Sequence, residues 1–538
     1  MNAIPCAVLI AYLALLLFLG WLGYRRSRED EEDYYLAGRQ QGWTISALTI
    51  MATFFSSFAL LGAPGMVYRE GVVFALVSLN VPVAGFCVYL FGVKIWRLGR
   101  ARGYVTPADM ICDHYGSAFV LRILTVIVGA LFVIPYVMMQ LKAGGDLAAV
   151  MFRDYTHSFE TGACVLAVIT AAYIMIGGMR SVAWTDAIQC LLLIAGMFLA
   201  GIAMVHSLGG LDEFAAQVRD LPEKSLTMPG NTGFWKLPML FTICVLMPIG
   251  GILQPAQWMR FYSARDAATL RRSALVFIVI LTGSFLFGIM LVGLGGQVLF
   301  PLGESVTGGV QPHAEVGRYD QVLVVIIRET LPEILGPALG LTLASGVIVA
   351  IMAAAMSTAD SNLHALSALV TRDLYGRFVR PRASERERVW VGRLVILAST
   401  LGALWLLLLG QREDSSIAGF MQMIVDLALF AVAFSVQLLP ITVDMLYIRR
   451  GTKWGAVAGL VVGLVVAFCF TRLFPTLVSL IAGQATLEDP SFLKAVLEAV
   501  NQAKTALPIH ATAWGLIPNI LIFFLVSLVT PGLPTRRN

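Results

Sequence analysis

Ser357, Thr358, Asp360, Ser361 and Asn362 fall within six consecutive positions of an otherwise apolar stretch, VIVAIMAAAMSTADSNLHALSALVTRDLY, running from Val347 to Tyr375. Hydroxyl oxygens are hard, neutral donors that suit a small alkali cation better than a transition metal. In hydrocarbon each such group costs free energy unless it finds a partner, so a cluster this dense belongs against a packed interior, a cavity or an ion. Two further stretches carry related chemistry. In ATFFSSFALLGAPG, Thr53, Ser56 and Ser57 stand one turn ahead of the helix breakers Gly62, Pro64 and Gly65. In MPIGGILQPAQWMRF, Gly250, Gly251 and Pro255 interrupt the apolar run and Gln254 sits at the interruption. A broken helix frees backbone carbonyls, tolerated at depth only where they are buried in protein or line a cavity, and such carbonyls are ready cation ligands. Tyr136 and Gln140, four apart, share one helical face and are candidates for contact with a solute or for bonding within the bundle.

The elements that must position these groups are membrane spans. A chain of 538 residues that is 58% hydrophobic and 13% charged, with mean hydropathy +0.80, is an all-α polytopic membrane protein. Apolar runs at roughly 6–24, 44–68, 71–96, 119–143, 161–178, 186–207, 237–259, 274–300, 336–366, 389–410, 416–447, 455–474 and 509–531 predict about thirteen transmembrane helices. The first lacks a basic leader and a cleavage site, and reads as a retained helix. The interrupted second and seventh spans each open a set of five, the pattern of an inverted repeat with its binding site near the midplane. The expected division is an extra helix and connector (1–43), a first half (44–207), an outer loop (208–236), a second half (237–447), and two extra helices with an outer loop (448–538). Loops near 301–335 and 475–508 are read as further covers over the outer face.

Arginine and lysine set the orientation. They gather at Arg25, Arg26, Arg28 and Arg39, from Lys94 to Arg102, from Arg260 to Arg272, from Arg372 to Arg393, from Arg449 to Lys453, and at Arg536 and Arg537. The positive-inside rule then places the N-terminus outside and the C-terminus in the cytosol. This asymmetry accounts for the net charge of +5 without a nucleic-acid partner. The basic segment from Gly376 to Arg388 is expected to meet anionic lipid heads. Asp186, at the expected start of the sixth span, either draws cations inward or caps the helix. Seven cysteines without a CxxC pair, and six scattered histidines without HExxH or GxSxG, argue against a metal centre or an enzyme.

With these positions in hand, the chain resembles the sodium:solute symporter family from Tyr34 to about Gly463. YYLAGRQQGW at 34–43, ATFFSSFALLGAPG at 52–65, GGMRSVAWTDAIQ at 177–189, QPAQWMRF at 254–261, MSTADSNL at 356–363 and WGAVAGLVVG at 454–463 carry the resemblance by their order and spacing. It implies a leucine-transporter-type fold with 5+5 inverted repeats, working by alternating access as a sodium-coupled importer of a small organic solute. By position it implies a sodium site from the carbonyls of Ala52, Phe55 and Ala354 and the hydroxyls of Ser357 and Thr358. A second ion, or the ion's exit path, would involve Asp186, Asp360 and Ser361. The solute pocket would use Thr53, Ser56, Ser57, Phe58, Gly62, Tyr136, Gln140, Met247, Gly251 and Gln254. Departures from the proline carriers at Phe54, Met247 and Gly251 disfavour proline. The second-span wording is closer to the pantothenate and monocarboxylate branch, and the expected solute is a carboxylate or amino-acid-like molecule that Lys142 could face. Two alternatives stand beside this reading: a transporter-like sensor acting through a separate partner, and coupling to protons through Asp186 or Asp360.

Overall fold

The computed structural model describes residues 3–26, 31–116, 119–152, 154–304, 309–411, 423–484 and 491–531. Arg28, Arg536, Arg537 and the first residues of the run expected at 416–447 lie outside the described residues. The chain is nearly all helix, with, among the described residues, one two-residue antiparallel pairing of Gly303–Glu304 with Val310–Gln311 in a connection between helices.

In chain order the principal helices are α1 (Ala3–Arg26), the bent pair α2 (Trp43–Phe54) and α3 (Phe58–Glu70), α4 (Val72–Arg102), α5 (Pro107–His114), α6 (Phe119–Met151), α7 (Ser158–Met175) and α8 (Gly178–Ser207). They continue with the bent pair α9 (Leu237–Leu253) and α10 (Pro255–Ser263), then α11 (Ala267–Leu299), α12 (Val322–Leu335), α13 (Pro337–Val379), α14 (Glu385–Gly410), α15 (Ile424–Ile448), α16 (Lys453–Cys469), α17 (Ser491–Ala506) and α18 (Ala511–Val529). Among the described residues nine helices are long and apolar enough to cross a membrane, and counting each bent pair as one span gives eleven. The remaining two expected spans correspond to the apolar stretch Ala7–Gly23 of α1 and to α16. At 17 residues α16 rises only about 25 Å, short of a ~30 Å hydrocarbon core.

Both interruptions are present, bent by 56° and 58°. The first does not fall at Gly62 and Pro64. Helix α2 ends at Phe54, Phe55 is extended (φ −90°, ψ 102°), and the chain re-enters a helix through a wide π turn at Phe58–Gly62. Pro64 cannot supply an N–H to the preceding turn, and the wide turn absorbs that loss within the helix. The opening lies instead at Ser56 and Ser57, where side chains replace the missing backbone bonds. The second break falls at Gln254 (φ −66°, ψ 151°), directly before Pro255, which opens α10 at a position where its absent N–H costs nothing. Gly250 and Gly251 remain helical and serve close packing: a Cβ on Gly250 would stand 2.7 Å from Val432.

Three expectations change. The 301–335 segment is not only a cover, because α12 buries Val322 to Ile327 in the bundle. The connector expected between the fifth and sixth spans shrinks to a hinge at Gly178, whose positive φ of 59° turns the chain from α7 into α8. Asp186 therefore lies two turns inside α8 and caps nothing. Arg39 and Arg260, counted above with the arginines of aqueous loops, are both buried.

Small residues let helix backbones touch where side-chain burial alone would hold them apart. A Cβ at Gly201 of α8 would stand 1.9 Å from the Phe287 carbonyl oxygen of α11, whereas Gly346 of α13 has nothing within 4 Å. Gly201→Ala is therefore expected to cost about 1–3 kcal/mol through overpacking. A lowered melting temperature of the purified protein, with Gly346→Ala unchanged or raised, checks this; equal behaviour of the two variants would refute the close approach.

Candidate functional site

The first break and the polar segment of α13 meet. The Thr358 hydroxyl donates to the Ala52 carbonyl at 3.0 Å, and the Ser357 hydroxyl donates to the Ala354 carbonyl at 3.1 Å and reaches Ala52 O at 3.4 Å. All five residues named for the ion are buried. The Phe55 amide still bonds Met51 O at 2.7 Å, so the helical ladder runs through the Met51 carbonyl and Ala52 O is the next acceptor in line. Carbonyl and hydroxyl oxygens thus converge from two elements, a donor set that suits a hard monovalent cation.

Directly beside this cluster lies a buried network that joins Asp186, Asp360 and Ser361, named as site residues from the sequence, to Arg260, Thr49 and Tyr173, which were not. Arg260 of α10 reaches across to α2 and α8. Its Nη2 donates to Asp186 Oδ2 at 2.8 Å, and its Nε donates to the Thr49 hydroxyl at 3.0 Å and to the Thr49 carbonyl at 3.2 Å. Thr49 in turn donates to Asp186 at 2.5 Å, and Arg260 also bonds the Ser361 hydroxyl. Ser361 lies 3.0 Å from Asp360 Oδ1, and the Tyr173 hydroxyl donates to Asp360 Oδ2 at 2.6 Å. Gln257, one turn before Arg260, donates to Ile50 O at 3.1 Å. Arg260 escaped sequence reading because the apolar run ended just before it. A hydropathy window cannot see the 58° bend that swings α10 back into the interior.

A small enclosed cavity of about 20 Å³, room for roughly one water, lies between the two breaks. Of the expected solute contacts, Thr53, Phe58, Tyr136, Met247, Gly251 and Gln254 line it; Ser56, Ser57, Gly62 and Gln140 do not. Those four stabilise the break. Gln140 Oε1 accepts the Ser57 amide at 3.2 Å, Ser56 Oγ accepts the Phe58 amide at 3.1 Å, and Gly62 admits Ile424 and Val425 at contact distance. Phe54, Phe55, Asn80, Phe132, Phe285 and Val432 complete the wall. Asn80 had a readable signal, being the one amide in the run 71–96. Phe132 had a weaker one, at i−4 from Tyr136, whose ring it stacks on at 4.8 Å. Gln254 Oε1 is buried with no hydrogen-bond donor among the described residues.

Lys142 does not face this cavity as a free cation. Its ammonium is buried and donates to Asp146 at 2.5 Å and Asp320 at 2.9 Å, and Asp320 also accepts the Ile424 amide at 2.9 Å. The lysine ties α6 to the segment before α12 and to the start of α15, so its charge is already balanced.

Comparison with known proteins agrees with this geometry. The family model described as "Sodium:solute symporter family" matches residues 34–463. The "High-affinity proline transporter PutP" of Bacillus subtilis is 27% identical over 500 residues, covering 91% of this chain and 98% of the relative. The "Sodium/pantothenate symporter" of Escherichia coli is 25% identical, covering 85% and 88%. Over the whole chain identity is thus no higher to the pantothenate carrier than to the proline carrier, unlike the wording of the second span. Among solved structures, a Na+-coupled sialic acid symporter superposes with a TM-score of 0.72 at 19% identity, covering 98% of each chain, which establishes the leucine-transporter-type fold. Broken helices, oxygen cluster and family match converge: the chain belongs to the sodium:solute symporter family, and is a multi-pass membrane carrier, not an enzyme, that couples sodium to a small organic solute.

Proposed function

We propose that sodium binds where α2 stops, held by the carbonyls of Ala52, Phe55 and Ala354 and the hydroxyls of Ser357 and Thr358. The observation that carries this is the reach of both hydroxyls to one carbonyl at the helix break. Sodium there pins α2 against α13. Thr53, the next residue after Ala52, lines the cavity between the breaks, so ordering the ion site orders the solute site. Linkage makes the effect reciprocal: ion and solute raise each other's affinity by the same factor. The inward sodium gradient then drives import by alternating access.

The solute binds between the two breaks, against Thr53, Phe58, Tyr136, Met247, Gly251 and Gln254, with Asn80 added to that set. The wall carries no charged side chain among its described residues, but hydroxyls, amides and a cluster of aromatic rings. This supports a small carboxylate or amino-acid-like solute whose polar end is met by neutral donors and whose body is apolar. Proline and pantothenate, the solutes named for the relatives, are the first to test. Asp186 and Ser361 are both bonded by Arg260, so positive charge is already supplied at that corner. Asp360, held by Tyr173 and Ser361, is where a second cation or a coupled proton would be carried. We assign the inverted halves to 44–207 and 237–447, with extra helices in 1–43 and 448–538, the N-terminus outside and the C-terminus in the cytosol.

Three outcomes follow. Ser357→Ala with Thr358→Ala is expected to weaken sodium about a hundredfold, from roughly 1.5 kcal/mol for each oxygen lost to a charged partner. Sodium-titrated melting temperature against a potassium control checks it, and wild-type sodium affinity in the double variant would overturn the site. Gln254→Ala and Asn80→Ala should keep the stabilisation by sodium alone and lose the added stabilisation by the solute found in a panel of carboxylates and amino acids; retention of both would place the solute elsewhere. A reporter that fluoresces only in the cytosol, fused after Asn538, should be active, and a dark, correctly inserted fusion would reverse the orientation.

A further inference from the structure

On the face where the arginine-rich ends of α4 and α13 emerge, Arg102, Arg122, Arg372 and Arg377 line an open pocket of about 450 Å³ together with Asp109 and Asp113. Three of these arginines converge on one carboxylate: Asp109 lies 3.1 Å from Arg372, 3.4 Å from Arg122 and 4.0 Å from Arg377. Arg122 also pairs with Asp373, and Arg102 with Asp113. A guanidinium has five donors in a planar fork, and Arg377 stands 4.0 Å from Asp109, beyond hydrogen-bond length, so its fork is open to an oxyanion. Arg377 and Arg102 are the open members, their side chains 56% and 47% exposed.

The rim of the pocket is apolar. Phe119 lies one turn before Arg122 on α6, and Phe378 follows Arg377. Both rings are exposed, and they meet edge to face at 4.8 Å, flanked by exposed Val120 and Val379. In a membrane protein, arginines at the ends of spanning helices reach toward the headgroups, and exposed apolar rings beside them suit contact with acyl chains. We propose that this pocket binds the phosphate of an anionic phospholipid, with Arg102 and Arg377 as its principal ligands and the acyl chains lying along Phe119 and Phe378. A bridging phosphate takes donors from the exposed guanidinium groups of Arg102 and Arg377. The occupied pocket then joins the ends of α4, α5 and α6 to the end of α13, the helix that carries Ser357 and Thr358.

The test is a titration of the purified full chain in detergent with dioctanoyl phosphatidylglycerol, dioctanoyl phosphatidylcholine or inorganic phosphate, reading melting temperature. Phosphatidylglycerol is expected to raise it saturably, and the other two to leave it unchanged. Arg377→Gln should raise the half-saturating concentration about fivefold, from ~1 kcal/mol per basic side chain near a lipid surface. Arg102→Gln with Arg377→Gln should abolish saturation, while Arg271→Gln with Arg272→Gln, an exposed pair elsewhere, should bind as wild type. If the double variant does not fold, Arg377→Gln alone decides, since its contact with Asp109 is the longest of the three. Equal shifts with both lipids, a full shift with inorganic phosphate alone, or equal losses in the control pair would each overturn the proposal.

Discussion

A backbone amide or carbonyl without a partner cannot be left in hydrocarbon, and the two broken helices expose several at mid-depth. The rest of the bundle meets that demand. Gln140 reaches from α6 to take the Ser57 amide, Ser56 takes the Phe58 amide, and Gln257 gives its amide hydrogens to Ile50. What is left is a carbonyl, Ala52 O, met at the break by the hydroxyls of Ser357 and Thr358, whose oxygens a cation can also use. The proposed ion site is therefore the remainder of an accounting that packing has almost closed.

Charge inside the bundle follows the same logic. Removing one member of a buried pair leaves an uncompensated charge and costs several kcal/mol, so such pairs fix geometry more than they add stability. The Asp186–Arg260 pair joins α8 to α10, the second limb of the second bent helix, and, through Thr49, to the first. Lys142 with Asp146 and Asp320 does the equivalent among α6, the segment before α12 and the start of α15. The moving parts of a carrier can change partners only if each charge finds another, and these networks restrict which rearrangements are open.

The proposed ion ligands and the cavity proposed for the solute share a few residues of one stretch of chain. Ala52 belongs to the first, Thr53 lines the second, and Phe55 lines the cavity while its carbonyl is assigned to the ion. Coupling then needs no long pathway: order at one residue is order at the next. The same economy accounts for the polar segment of α13, where Ser357 and Thr358 face α2 while Ser361, one turn on, faces Arg260.

The sequence by itself determined the class of protein, the two interrupted spans, the family and the oxygen cluster of α13, because hydropathy, breakers and local polarity are written in short stretches. It also named half of the cavity wall as solute contacts, six of its twelve residues. Where the first helix opens was decided by tertiary structure, since Gln140, eighty-three positions away, supplies the bond that lets Ser57 leave the helix. Arg260 was legible only as a basic residue past an apolar run, and Lys142 only as a cation of unknown depth. Their partners come from bends and contacts that bring distant carboxylates within about 3 Å, and no local pattern encodes such meetings.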